Sequence, residues 1–343
     1  MGSPDPEHGR QLNGMGGGVS SLSKICVVGP PSLSQKEQRI DVEYTFVQVG
    51  IRDASIDYSG NCGNLSSMIG VFAVDEGICN PHSPGTHATV RSFNTNTQKI
   101  IDTTFPVSTT GPPTPLLDNP ETTIAGVPGK ASTIVLEFVN PAGARTGKLL
   151  PTGSPRDNLT ILPSPGSDER IVGCSCVDAT NPTVFVSYSD LAKFLPIADY
   201  INGNAHAVGE TLERLRQAAA AKMGLDPSAQ AQPKIAIIRA PHTDEDHTQS
   251  VDVVVHALSM GVLHKAVPMT VGLCAGVAAN IENTLVWETV QKARSGRQDQ
   301  DMVRIRHPSG VVDVGAQLAE DGMVKSAKVV RTGRRIMKGV VWW

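Results

Sequence analysis

The chain has 343 residues, of which 40% are hydrophobic and only 4% aromatic, and it carries a formal net charge of -3. That length favours two domains over one and supplies enough apolar side chains for a sizeable core. The near-balanced charge, with no basic stripe and few rings on which bases could stack, argues against a nucleic-acid partner.

The composition includes 33 Gly and 24 Pro, which implies many turns and a strand-rich fold. The six cysteines, Cys26, Cys62, Cys79, Cys174, Cys176 and Cys274, lie far apart except for Cys174 and Cys176. Their spacing matches no zinc ribbon or finger, and in a chain of this size they read as reduced thiols of an intracellular protein. No secretory signal opens the chain, and the longest apolar run, around Val267 to Ala279, is too short and too rich in Gly to span a bilayer. The expectation is a soluble, cytoplasmic protein.

In chain order, Met1 to Pro6 is loop-like and leads to Gly14-Met15-Gly16-Gly17-Gly18, which reads as a tag remnant or as the trace of a lost upstream strand. Lys24 to Val28 is predicted as a short apolar strand, and Tyr44 to Ile51 and Asp53 to Tyr58 alternate as two more. A Gly/Asn turn, Asp57 to Asn64, feeds an apolar helix over Leu65 to Gly77. That helix carries small or apolar residues almost all round, so it is expected to be buried on every side. Strands follow at Arg91 to Asn94, Lys99 to Val107 and Thr133 to Val139, with a Pro/Thr loop from Thr109 to Pro120. Leu149 to Gly153 is expected to end a strand in a turn, and Pro155 to Ser167 has the composition of a connector.

A second unit begins near Ile171. Asn181-Pro182 leads into a core strand, Thr183 to Val186, and Ala207 to Met223 is an amphipathic surface helix. Lys234 to Ile238 and Ser250 to Leu258 are strands around a polar loop. The turn Met260 to Lys265 precedes a second all-round apolar helix, Met269 to Ile281. Strands at Val303 to Ile305, Val311 to Val314 and Ala327 to Val330 follow. The order of strands, turn, buried helix and strands thus occurs twice. A helix apolar on every face needs a wrapper, and a curved antiparallel sheet supplies one. The expectation is an α+β fold with domains over residues 1–168 and 169–330, residues 331–343 returning to the first. Two helix N-termini would then point at a shared cleft, where small ligands bind.

Cys62 sits where the Gly/Asn turn meets the first apolar helix. Glycines at 60 and 63 let the backbone turn sharply, and a helix aims free N–H groups and its positive dipole end at such a turn. This makes an anion site and favours a thiolate; the competing reading is a buried structural cysteine. Lys24 follows a glycine and serine loop, but a phosphate-binding loop needs Gly-Lys-Ser/Thr before a helix. Here Ser23 precedes the lysine and a β-branched strand follows it. A lysine at the mouth of a buried strand is instead a candidate base, since burial disfavours an ammonium; the alternative is an amine snorkelling to water.

His264 and Lys265 precede the second helix, with Thr270 in its first turn. His264 either meets a carboxylate and transfers protons or simply caps and packs. Thr152 and Gly153 form a turn whose N–H groups can hold an anion. His307-Pro308-Ser309-Gly310 reads as a hairpin turn. His242-Thr243-Asp244-Glu245-Asp246-His247 reads as a solvated acidic loop rather than a metal clip. The chain has no G-x-S-x-G elbow and no dinucleotide fingerprint after a strand.

Gly14 through Ser23-Lys24, then Ser59-Gly60-Asn61-Cys62-Gly63-Asn64, Leu150-Pro151-Thr152-Gly153, Asn181-Pro182-Thr183-Val184-Phe185-Val186 and His307-Pro308-Ser309-Gly310 stand in the order found in the PrpF family. The chain resembles that family over nearly its whole length. The family looks related to diaminopimelate epimerase and proline racemase. It includes 2-methylaconitate isomerase, 3-methylitaconate delta-isomerase, 4-oxalomesaconate tautomerase and fungal aconitate delta-isomerase. The resemblance implies a diaminopimelate epimerase-like fold of two pseudo-symmetric domains, each a curved, mostly antiparallel sheet wrapped around a central helix. It also implies a cofactor-independent isomerase.

By that resemblance Lys24 matches the catalytic lysine, and Cys62 the position of one acid/base thiol of the epimerases. Asn61, Gly63 and Asn64 match the carboxylate-binding turn, and Ser23, Thr152, Gly153 and Asn181 are further candidate substrate-binding residues. His264 and Thr270 fall near the second helix N-terminus, where the epimerases carry their other thiol; no cysteine stands there, which disfavours a two-thiol racemase. Family members usually begin with a strand and an Arg-Gly-Gly-Thr-Ser-Lys-Gly-like loop upstream of the Gly2 to Pro6 segment. The resemblance therefore implies that the first strand, its loop and a helix are lacking, which leaves an unpaired edge.

Moving a double bond beside carboxylates requires a base of near-neutral pKa and donors aimed at the developing enolate oxygens. Lys24 is the expected base. The helix N–H groups after Cys62 and before Thr270 are the expected donors, and Cys62 is a second proton carrier or a polar lining. Neither metal nor nucleotide is required. The implied partner is a small unsaturated di- or tricarboxylate of the aconitate or methylaconitate type, with the individual acid and the oligomeric state, a homodimer included, left open. The alternatives are a truncated relative that binds carboxylates without turnover and an amino-acid epimerase.

Overall fold

Period-two alternation lays down the first strands as expected. In Lys24–Gly29 (β1) Ile25 and Val27 face outward, while Lys24 and Cys26 lie on the opposite, more sheltered face. In Val42–Val49 (β2) Val42, Tyr44 and Phe46 are buried. The computed structural model describes the chain except residues 3, 6, 9, 12, 19–21, 52, 59–60, 82–84, 164–165, 167, 204–206, 231, 260, 296–301 and 343. The chain divides into one unit of Met1–Thr123, Pro128–Val139 and Val330–Trp343 and another of Ile124–Val127 and Asn140–Val329. Among the described residues no helix is long and apolar enough to cross a membrane.

In the first unit β1 pairs antiparallel with β2, Lys24 standing opposite Gln48. β2 runs parallel to His87–Asn94 (β3), which pairs antiparallel with Lys99–Pro106 (β4), and β4 pairs antiparallel with Ile134–Val139 (β5). The stretch expected as one helix is two, Gly63–Ser66 (α1) and Ile69–Asp75 (α2), with a joint at Ser67 and Met68. The Ser66 hydroxyl donates to the Cys62 carbonyl at 3.1 Å and the Ser67 hydroxyl to the Asn64 carbonyl at 2.7 Å. Such side-chain bonds compete with the helical ladder. α2 buries Ile69, Gly70, Val71 and Ala73, but Phe72 is 45% exposed, so this helix is not enclosed all round. Gly70 permits its close approach to the sheet: a Cβ there would meet the Val90 Cβ at 3.0 Å and the Thr103 Cβ at 3.2 Å. The strand expected over Asp53 to Tyr58 shrinks to Ile56–Asp57, because the Asp53 carboxylate accepts the Ser55 N–H at 3.0 Å and turns the chain.

The second unit is a longer mixed sheet. Asp157–Ile161 (β6), Arg170–Ala179 (β7) and Asn181–Ser187 (β8) are antiparallel neighbours. β8 runs parallel to Lys234–Arg239 (β9), and β9 antiparallel to Val253–Ser259 (β10). β10 takes Val262–Leu263 (β11) antiparallel and Met302–His307 (β12) parallel. Gly310–Leu318 (β13) and Val324–Arg331 (β14) complete the run antiparallel. The hairpin expected at His307 to Gly310 is there, those two residues pairing across the turn. Ala207–Lys222 (α3) is the amphipathic helix, packing Val208, Leu212 and Leu215 on Leu159, Val172 and Ile237. Met269–Ala278 (α4) buries every residue from Val271 to Ala278 and is the all-round apolar helix the sequence promises. Gly276 lets it approach β13, since a Cβ there would meet Val314 Cγ2 at 3.0 Å and the Gly315 nitrogen at 3.2 Å.

Four local expectations change in this unit. Pro155 to Ser167 is no mere connector but contains β6, whose Leu159 and Ile161 close one end of the core under α3. Leu149 to Gly153 has no strand leading into it. Asp178 holds that region instead, donating its N–H to the Leu149 carbonyl at 2.9 Å and accepting the Arg145 and Thr146 N–H groups on its carboxylate. The polar loop over 242–247 carries a one-turn helix, Asp244–Thr248, and Asp246 is fully buried against Arg306 rather than solvated. Leu285–Arg294 (α5) adds a helix capped by Thr284, which accepts the Trp287 N–H at 3.1 Å.

Candidate active site

In the first unit β1 delivers Lys24 and the start of α1 delivers Cys62, and the Lys24 Nζ lies 3.9 Å from the Cys62 Sγ. Cys62 is the N-cap of α1, with an extended backbone at φ -107° and ψ 103°. Its thiol therefore stands where the first helical amides have no intrahelical acceptor. Asn61 Nδ2 donates to Ser66 Oγ at 3.1 Å, and Ser66 Oγ lies 2.9 Å from the Tyr44 hydroxyl. This buried chain of polar groups braces the loop against β2. Burial pushes the Tyr44 phenol up, so it remains a neutral hydroxyl. Cys26, two residues beyond Lys24 on the same strand face, is pushed up to about 12 by burial and then by the charge of Cys62.

Gly63 opens α1 beside the thiol, and Asn64 is exposed in its first turn. Ser23 is fully buried and donates its hydroxyl to Gln11 Oε1, while its carbonyl accepts Gln48 Nε2 and the Val49 N–H, each at 3.0 Å. It fixes the entry to β1, with its hydroxyl committed inside the protein. Residues 19–21 of the lysine loop, Ser59 and Gly60 of the cysteine turn, and Met260 of the turn before α4 lie outside the described residues.

In the second unit Asn181 and Thr270 meet, with Asn181 Nδ2 donating to Thr270 Oγ1 at 3.3 Å. Thr180 Oγ1 donates to the Thr270 carbonyl at 2.9 Å from a backbone at φ 62°, a region β-branched residues rarely adopt. Strain of this kind clusters at functional sites. The Asn181 Oδ1 is buried and has no hydrogen-bond partner among the described residues. His264 does not join them: it is exposed and accepts the Ala266 N–H on Nδ1 at 3.1 Å, within its own turn. Thr152 and Gly153 form a closed turn. Thr152 Oγ1 donates to Asp157 Oδ2 at 2.7 Å, the Gly153 N–H donates to the Leu150 carbonyl at 3.0 Å, and the Ser154 N–H donates to Thr152 Oγ1 at 3.3 Å. Of the two amides expected to hold an anion, that of Gly153 is thus satisfied internally.

Sequence reasoning missed Cys26, Tyr44, Ser66 and Thr180. The two-residue strand period places Cys26 beside Lys24 and was signal enough for it. The roles of Tyr44 and Ser66 depend on packing between β2 and α1, and a positive φ at a threonine leaves no mark in composition.

Comparison with known proteins agrees with this architecture. A family model described as PrpF protein matches residues 1–343. The 3-methylitaconate isomerase of Eubacterium barkeri is 35% identical, over 100% of this chain and 87% of that protein. The 2-methyl-aconitate isomerase of Shewanella oneidensis is 33% identical, over 99% of this chain and 86% of its own length. A crystal structure of methylitaconate-delta-isomerase matches with a TM-score of 0.82 at 35% identity, covering 99% of this chain and 85% of that one. The fold is the α+β, diaminopimelate epimerase-like class that the sequence implies.

Proposed function

Because the chain belongs to the PrpF family, we propose that it is a cofactor-independent isomerase that moves a double bond by proton transfer in an unsaturated di- or tricarboxylate of the aconitate or methylaconitate type. The observation that carries the reading is the Lys24 amine 3.9 Å from the thiol of the residue at the N-cap of α1. As a free amine, Lys24 takes a proton from the allylic carbon. The C–H electron pair moves through the adjacent double bond onto a carboxylate oxygen, giving a dienolate. The new ammonium returns the proton at the far carbon, or the Cys62 thiol beside it does so and then takes the ammonium's proton, and the double bond has shifted. One C–H bond breaks, one forms, and nothing is oxidised or reduced.

The chain's other groups support that transfer. On this reading the amides at the start of α1 stabilise developing negative charge on a bound carboxylate. The Asn61–Ser66–Tyr44 chain keeps the cysteine turn in one position, which matters because small misplacements of a base are costly. An amino-acid epimerase would need a second acid/base thiol near the N-terminus of α4. The thiol of that helix, Cys274, is fully buried, donates to the Val177 carbonyl at 3.5 Å and is pushed up to about 12 by burial.

The test is proton NMR of the purified protein in deuterated buffer with trans-aconitate, 2-methylaconitate, methylitaconate and oxalomesaconate, and in parallel with diaminopimelate and proline. The reading expects isomer formation and deuterium entry with at least one of them. Binding without exchange across the whole panel favours a relative without turnover. Exchange confined to an amino-acid α-carbon rejects the isomerase reading.

A further inference from the structure

Buried guanidinium groups elsewhere in this protein are surrounded by acceptors. Arg216, 3% exposed, forms a two-pronged pair with Glu213 and donates to the carbonyls of Pro227, Ala229 and Gln232. Arg294 is paired with Asp252 at 2.9 Å. Arg331, the last residue of β14, is different. Its Nε is buried and has no hydrogen-bond partner among the described residues, and its Nη1 donates to the adjacent Val330 carbonyl at 3.1 Å. No carboxylate among the described residues pairs with it, and burial lowers its pKa to about 10.

A guanidinium has five donors in a rigid fork and stays charged in proteins. Leaving it desolvated and unpaired is unfavourable, and the group that completes it best is a planar anion bound two-pronged, such as a carboxylate. The other described cations of this terminal segment are already committed. Arg334 donates to the Pro128 carbonyl, Arg335 forks onto Asp75, and Lys338 meets Glu76.

The position of Arg331 ties it to the candidate site. It belongs to the same unit as Lys24 and Cys62. Two residues further on, Gly333 packs so tightly on the joint between α1 and α2 that a Cβ there would collide with the Met68 sulfur. Met68 follows Cys62 by less than two helical turns. The chain that carries Arg331 therefore lies against Met68, the N-cap of α2, just beyond the short helix that begins after Cys62.

We propose that Arg331 is a specificity-determining residue whose guanidinium takes one carboxylate of the substrate and selects polyacids over monoacids. This rests on the isomerase reading above. The test compares wild type with Arg331→Gln and Arg331→Lys. It uses calorimetric binding of tricarballylate, a saturated tricarboxylate that cannot isomerise, and steady-state kinetics on whichever polyacid of the panel the wild type turns over. Loss of one charge-assisted contact is expected to weaken tricarballylate binding and raise KM by roughly 10- to 100-fold in Arg331→Gln. kcat should change less, and Arg331→Lys should recover part of the binding.

A folded Arg331→Gln with wild-type binding and KM overturns the proposal, as does a wild type that isomerises a polyacid yet does not bind tricarballylate. If Arg331→Gln fails to fold, Arg331→Lys decides: unchanged binding and KM overturn the anchor, and a selective rise in both dissociation constant and KM supports it. A wild type inactive on the whole panel overturns the isomerase reading, and the anchor, which rests on it, with it; unchanged kinetics in a folded variant of an active enzyme overturn the anchor alone.

Discussion

The Lys24 amine and the Cys62 thiol meet at 3.9 Å although one opens a strand and the other caps a helix. Neither residue could hold that position alone. β1 is registered on β2 by its ladder, with Lys24 opposite Gln48, while α1 is held to β2 through Ser66 and Tyr44. β2 is thus the common reference for both side chains, and on the proposed reading a base and a proton carrier positioned by one strand can share a substrate carbon.

The environment of the thiols predicts which of them reacts. Cys174, Cys176 and Cys274 are fully buried, and burial pushes Cys26 to about 12 and Cys79 to about 11. Reactive cysteines are accessible and often stand at helix N-termini, and Cys62 is half-buried at the N-cap of α1. Iodoacetamide near neutral pH should modify Cys62 first, and activity should fall in step with that modification. Peptide mapping by mass spectrometry that finds Cys26 modified ahead of Cys62 would contradict the assignment.

His256 predicts an acid-side loss of stability. Burial, and then the charge of Arg239, lower its pKa from 6.5 to about 4. Between those values an unfolded chain holds the proton and the folded one does not, so stability rises with pH across that window. The contribution is full above 6.5 and is lost as pH falls through about 4, and the shift from 6.5 bounds it at about 3 kcal/mol. Urea unfolding of His256→Leu across that range should show a flatter slope than wild type. Identical slopes would mean that other groups set the acid limit.

Each central helix rests on its sheet through a glycine. A methyl group at Gly70 or Gly276 would press on neighbours at 3.0 Å, and at Gly276 one of the next nearest atoms, at 3.2 Å, is a backbone nitrogen. Overpacking of this kind typically destabilises by about 1–3 kcal/mol. Gly70→Ala and Gly276→Ala should both lower the unfolding free energy, with Gly276→Ala the more severe because backbone yields less than side chain. A Gly276→Ala variant as stable as wild type would show that β13 can move aside.

Much of the fold is legible in the chain because buried helices and alternating strands leave opposite signatures. α4 is small or apolar from Val271 to Ala278 and is enclosed there as its composition requires, whereas α2, similar on paper, leaves Phe72 exposed. The expected single helix is also broken ahead of α2, where the Ser66 and Ser67 hydroxyls bond back to the chain. Lys24 and Cys62 are visible from the glycines and the strand and helix signals around them. Arg331 is not, since a cation at a strand end looks solvent-bound until the fold buries its Nε without a partner among the described residues. α5 hides because Thr284 has Trp287 three residues on, where a capping box would place Glu or Gln.

The central claim is that Lys24 removes the carbon-bound proton. The direct measurement is deuterium wash-in from heavy water into the polyacid that the enzyme isomerises, followed by proton NMR for wild type and Lys24→Ala, with circular dichroism to confirm that both are folded. The account predicts exchange by wild type and a loss of about 10²- to 10⁴-fold in the variant, the range a positioned general base contributes. A folded Lys24→Ala that exchanges at the wild-type rate would contradict it.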